Sequence, residues 1–250
     1  MNDWLHSLPL AWMAFVVFGA TYITGALIQA VVAALAVGER ARSFKAVSPG
    51  MLPPLGIIFG LFVAFTAAQV WSDTDRANAA VAREASALRS VVVLAANLPR
   101  DAELRLRSLV RGYIEETAAS EWPLMAQGAA TLKISPATLT DALQFALSLP
   151  SGTPGQQIAQ RQITSSLGEA LEARRQRILV SRSEVNATKW ACLILQAICA
   201  LFAIAVVHSD NRLASALAIG AFSTGVAASL LLILSHDRPF VGTIAVRPDA

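Results

Sequence analysis

Four stretches of the chain keep to apolar and small polar residues for about the length that a bilayer demands. A spanning helix needs about 20 mainly apolar residues. Residues 8–37, 52–70, 190–207 and 213–234 meet that pattern, and none contains Asp, Glu, Lys or Arg. The first is longer than one crossing requires, so it is expected to tilt, or to bend near Gly19 and Gly25. Its leader, "MNDWLHSLPL", lacks the basic start of a cleaved signal peptide.

Between the second and third stretches the period changes to that of amphipathic helices. Ala77, Val81, Leu88, Val92 and Ala95 recur at helical spacing, with Asp73 as the expected N-cap and Pro99 as the stop. Asp101 is the expected cap of a second helix carrying Leu106, Leu109, Val110 and Tyr113 on one face. Ser135-Pro136 and Thr153-Pro154 each read as a cap followed by a first helical position. The last helix has Ile163, Leu167, Leu171, Ile178 and Val185 as its stripe and is expected to run unbroken into the third span. The fourth span stops at a charged, stiff segment: His236, Asp237 and Arg238, then Pro239, Phe240 and Gly242. Pro239 ends the helix, Phe240 is expected to tuck against the helical domain, and Gly242 to permit a turn. Asp237 either pairs with Arg174, Arg175 or Arg177 or stays solvated. Likewise "DTDR", residues 73–76, reads as a capping turn in preference to an ion site.

These elements define an all-α integral membrane protein with four transmembrane helices and a helical domain inserted between the second and third. The expected divisions are 1–71, spans one and two; 72–189, the helical domain; 190–235, spans three and four; and 236–250, a tail. Composition agrees: 55% of residues are hydrophobic and 15% charged, with mean hydropathy +0.53. Soluble domains carry about 25% charged residues. The net charge of +3 is too small for a nucleic-acid binder.

Basic residues near the spans suggest an orientation. With the helical domain in the cytoplasm, Arg76, Arg83, Arg89, Arg174, Arg175, Arg177, Arg182, Lys189, Arg238 and Arg247 lie inside; the reverse leaves Arg40, Arg42, Lys45 and Arg212. Both termini and the domain are thus expected in the cytoplasm. Trp4, Trp12, Trp71 and Trp190 fall near span ends, where indoles collect, and only Trp122 does not. Cys192 and Cys199 are two helical turns apart, about 10 Å. That exceeds the roughly 7 Å limit for a disulfide, so both are expected to be small buried residues.

Chemistry-bearing residues are sparse. His6, His208 and His236 are far apart and show no metal-ligand spacing. No nucleophile, acid–base pair or phosphate loop is apparent, so no enzyme, metal or cofactor is expected. The Asn186-Ala187-Thr188 sequon is discounted because it sits at an expected cytoplasmic helix end. The second span, "LPPLGIIFGLFVAFTAAQVW", is more informative. Gly56, Gly60, Ala64 and Ala68 form a smooth stripe that permits close helix approach. Beside it run Pro53, Ile57, Leu61 and Phe65. Either one stripe packs on neighbouring helices and the other on lipid, or copies of the bulky stripe surround an axis and form a constriction that gates by dewetting.

"PLGIIFGLFV", residues 54–63, followed by Trp71, resembles the second transmembrane helix of bestrophins. The C-terminal Asp237, Pro239, Phe240 and Gly242, with "WSDTDRANAAVAREASAL", resemble bacterial bestrophin-like membrane proteins more closely still. The resemblance implies a homo-oligomer, a pentamer by analogy, in the bacterial inner membrane, conducting small inorganic anions such as chloride. It places the hydrophobic neck on Pro53, Ile57 and Leu61, with Ile and Leu where bestrophins favour Phe. A dewetting gate needs apolar bulk rather than aromaticity. The acidic calcium clasp of animal bestrophins is reduced here to Asp237 and Asp249, too few carboxylates for Ca²⁺, which takes six to eight oxygens. The alternative is a non-conducting membrane scaffold whose helical domain binds a cytoplasmic partner.

Overall fold

The computed structural model describes residues 8–37, 44, 47–133, 136–150, 152–242 and 244–248. It consists of α1 (Leu10–Leu35), α2 (Leu52–Ala95), α3 (Arg100–Glu116), a π-helical turn (Thr117–Glu121), α4 (Trp122–Ala126), α5 (Ala137–Ser148), α6 (Pro154–Val180), α7 (Ala187–Val207) and α8 (Arg212–His236). No strand occurs among the described residues. The four helices long and apolar enough to cross a membrane are α1, α2 with the 3₁₀ turn that leads into it, α7 and α8. Ser135 and Trp4 lie outside the described residues, as do His6, Arg40, Arg42, Lys45 and Asp249.

The chain divides into two compact units. The first comprises Met1–Trp71 and Glu184–Asp237, the second Ser72–Ser183 and Arg238–Ala250.

In the first unit α1 packs chiefly against α8. Gly25 makes the crossing close: a Cβ there would stand 2.9 Å from Ile219 Cγ2 and 2.9 Å from Ser223 Oγ. Tyr22 and Thr224 join their hydroxyls at 2.8 Å. Met13, Val17, Phe59, Val70, Leu193, Val226 and Ile233 form the core. Several hydroxyls inside these helices return to their own backbone, as in Thr21 Oγ1 to the Val17 carbonyl and Thr66 Oγ1 to the Phe62 carbonyl, both 2.8 Å. A polar group in an apolar medium is thereby satisfied locally.

The second unit is built around Leu106, Tyr113, Leu139, Ala142, Ile163 and Leu167, with Leu88, Val91 and Ala95 of α2. The Thr153 cap is realised fully. Thr153 Oγ1 accepts from the Gln156 amide at 3.4 Å, while Gln156 Oε1 accepts from the Thr153 amide at 3.0 Å. Phe240 and Val246 pack with Ala77, Val81, Met125, Ala130 and Ile178, so the segment after α8 is part of this unit's core rather than a free tail.

Several expectations are corrected. Asp73 caps nothing, because α2 runs unbroken through it; a cap is needed only where the preceding amides lack helical partners. Asp73 instead pairs with Arg76 at 3.6 Å. Asp101 lies in the first turn of α3, whose N-cap is Pro99. The expected continuous helix into the third span breaks at 181–186. Ser181 ends α6, its hydroxyl donating to the Ile178 carbonyl at 2.8 Å. Asn186 opens α7 by accepting from the Thr188 amide at 2.9 Å, a use that accounts for Asn186 without glycosylation. Cys192 and Cys199 are exposed, since α7 turns Leu193, Ala197, Ala200 and Leu201 inward. Trp190, in the first turn of α7, is buried against the protein, and Trp12 and Trp71 are exposed.

Gly25→Val should force Ile219 and Ser223 apart and lower stability by about 1–3 kcal/mol, the usual cost of overpacking. Gly19→Val, where a Cβ meets nothing within 4 Å, should be near neutral. Thermal unfolding of both variants in detergent checks the contrast; equal losses would remove the close crossing.

Candidate functional site

The apolar part of α2 turns two adjacent stripes outward. Phe59, Thr66, Ala67 and Val70 face the interior of the first unit. Pro53, Ile57, Leu61 and Phe65 are exposed, Ile57 by 63%, Leu61 by 53% and Phe65 by 74%. Gly56, Gly60, Ala64 and Ala68 are exposed as well. At Gly56 and Gly60 nothing among the described residues lies within 4 Å of where a Cβ would stand. The smooth stripe and the bulky stripe therefore make one continuous apolar face that other helices of the same chain leave uncovered. A face of this size on a helix is normally covered by lipid, by another copy, or by both.

The C-terminal motif is split between two tasks. Asp237 is buried and accepts a hydrogen bond from the Val185 amide at 2.6 Å, closing the break before α7. Phe240 stands edge-on to Trp122, with ring centroids 5.8 Å apart at 80°. The Trp122 indole N–H donates to the Val246 carbonyl at 3.2 Å, and the Val246 amide donates to the Pro239 carbonyl at 2.8 Å. Gly242 sits at φ +89°, a backbone region closed to most side chains, and so turns the segment back on itself.

A second cluster was not anticipated from the sequence. Arg177 is completely buried. Its Nε donates to Glu84 Oε2 at 2.7 Å, and its Nη2 donates to Glu84 Oε1 at 3.1 Å and to Glu121 Oε2 at 3.0 Å. Arg174 Nε donates to Glu121 Oε1 at 2.8 Å. The Tyr113 hydroxyl donates to Glu84 Oε1, and the Trp122 ring lies 4.9 Å from the Arg177 Cζ. The π turn inserts an extra residue into its helical turn and brings Glu121 and Trp122 to the same guanidinium. Burial opposes the charge of Arg177, yet the hydrogen bond and charge of Glu84 outweigh it and hold the side chain protonated. Burial, then the charge and hydrogen bond of Glu84, push the Tyr113 phenol far above its ordinary value. The signal for this cluster was present in the register: Ile163, Leu167, Ala170, Arg174 and Arg177 recur at alternating steps of four and three, so both arginines fall on a buried seam.

Among the described residues no group of three or more His, Cys, Asp or Glu could hold a metal ion. The charges of the cluster are paired with one another, which fixes the position of its helices.

Replacing Arg177 by Met should cost about 3–5 kcal/mol, because it strands the buried Glu84, whereas Glu121 keeps Arg174. The phenol gives a pH test. A folded-state value raised above the unfolded one contributes stability that is whole below the ordinary value of 10.0 and is lost as pH rises above it. Tyr113→Phe should lower stability by about 1.5–3 kcal/mol near neutrality and flatten the alkaline decline, followed as the unfolding midpoint across pH 8 to pH 11. An unchanged decline would remove Tyr113 from the linkage.

A family model described as "Bestrophin-like: Bestrophin-like domain" matches residues 19–250. No curated protein and no solved structure matches the chain. The family match takes in three of the four apolar helices whole and most of the first, the open face of α2, the buried Glu84–Arg177 pair and the Asp237-to-Gly242 motif together, and the chain belongs to the bestrophin-like family.

Proposed function

We propose that the protein is an oligomeric ion channel of the bacterial inner membrane, anion-conducting, in which α2 lines the pore and Pro53, Ile57 and Leu61 form a hydrophobic neck. The observation that carries this reading is the uncovered face of α2. Bulky apolar side chains at every fourth position, 53, 57 and 61, stand beside a stripe small enough for a second helix to approach. Copies arranged around an axis, five by family analogy, would cover the smooth stripe with a neighbour and turn the bulky one inward. A ring of Ile and Leu excludes water when narrow and admits it when widened, so it gates without any charged residue. The ten-against-four distribution of basic residues supports a cytoplasmic helical domain and cytoplasmic termini. No enzymatic step is assigned.

Planar-bilayer recording of purified protein tests the reading. Wild type should carry anion current, and Ile57→Ala and Leu61→Ala should each raise basal current several-fold by widening the constriction. A silent wild type, or two variants that match it, would sink the pore. Mass measurement in detergent is a faster check: a stable monomer leaves no axis and returns the protein to the scaffold alternative.

A further inference from the structure

The first unit contains a small polar cavity away from the α2 face. It has a volume of about 380 Å³ and is formed by the last turns of α1, the end of α7 and the start of α8. Alanines of α1 provide the space. Gln29, His208, Ser209, Arg212 and Ser215 provide the polar lining, and no carboxylate is among the described residues that line it.

The chemistry of this lining is one-sided. Arg212 is exposed and makes no ion pair with any described residue, and Asp210, two positions away, is also exposed. Gln29 Nε2 donates one hydrogen to the Arg212 carbonyl at 3.2 Å, which leaves its second N–H available. His208 Nδ1 donates to the Ile204 carbonyl at 3.0 Å, which commits that donor to its own helix. Ser215, 4% exposed, lines the same cavity. It therefore adds a further hydroxyl donor to the cavity wall.

We infer that this cavity binds a phosphate-bearing anion, the headgroup of an anionic lipid. Donors without carboxylates select an anion over a cation. Several spaced donors and the planar fork of an arginine match a tetrahedral phosphate better than a monatomic ion. The cavity is at the small end of ligand sites, which run from about 300 Å³, and so suits a headgroup and not a whole lipid. It opens at the ends of apolar helices, at the level where the hydrocarbon gives way to headgroups. The inference rests on those helices being membrane spans and does not depend on conduction.

The test uses full-length protein, delipidated in a neutral detergent, with dihexanoyl-phosphatidylglycerol and inorganic phosphate as probes. Binding is read as the saturable rise of the unfolding midpoint. The lipid should stabilise wild type, and Arg212→Gln should bind it about tenfold more weakly. Ser215→Ala should weaken it several-fold, and Arg212→Lys should recover part of the loss. If Arg212→Gln fails to give the wild-type oligomer mass, Ser215→Ala and Gln29→Leu decide. Lipid affinity unchanged in these variants, or no saturable response in wild type, overturns the site. Inorganic phosphate matching the lipid at equal concentration overturns the lipid and assigns the cavity to the free anion. No current is measured, so failure here leaves the channel reading standing.

Discussion

Hydrocarbon supplies no hydrogen bonds, so a chain that crosses it must satisfy every backbone amide and carbonyl within its own segment. That constraint explains the layout of the first unit. Its four apolar helices are continuous for 21 residues or more, and the interruptions fall beyond them. Where the chain does break, side chains take over the orphaned amides: Asn186 before α7, Asn211 before α8 with bonds of 3.1 and 3.0 Å, and Asp237 on Val185. Several hydroxyls inside the helices, those of Thr21, Thr24, Thr66 and Ser229 among them, bond their own turns. The unit contains little that could exchange one partner for another.

The second unit solves a related problem by a different route. Its seam buries an arginine completely, and desolvation of that charge is offset only because Glu84 and Glu121 supply bidentate geometry and the Trp122 face supplies a further contact. Such pairs add little net stability compared with apolar substitutes, but they tolerate no alternative register: slide α6 by one residue and both carboxylates lose their partner. The π turn belongs to the same logic. It departs from regular helix at the point where Glu121 must meet Arg177.

The elements that were legible in the sequence share a cause, and so do those that were not. The four spans could be read because length and the absence of charge are unambiguous. The Thr153 cap was legible because a capping box is local, and Phe240 because an aromatic between Pro239 and Gly242 has few places to go. The faces of the membrane helices were not legible. A helix solvated by lipid is as apolar outside as inside, so the contrast that marks burial in a soluble helix vanishes, and Cys192 and Cys199 came out exposed. The break at 181–186 was hidden because polar residues there do not forbid helix, and its closing partner, Asp237, lies 52 residues away. Asp73 failed for the opposite reason: a good cap residue is inert inside a helix that has already begun. The Glu84–Arg177 pair is hard to read because charge ordinarily marks a solvent-facing position, although the register of both residues places them on the seam.

Small residues illustrate how far such reading goes. Gly25 and Gly56 are the same residue in similar apolar helices, and both permit close approach. Gly25 is used within the chain, against Ile219 and Ser223, whereas around Gly56 and Gly60 there is open space. Sequence registers the permission, and only structure shows whether the chain itself takes it up. Where it does not, and where the adjacent stripe is as bulky as Ile57, Leu61 and Phe65, the uncovered surface must be solvated by something apolar. In a membrane, lipid can always do so, and it needs no smooth stripe. A smooth stripe beside a bulky one adds a track along which a further helix can approach, and it is why the proposed channel reading rests on α2 rather than on α1.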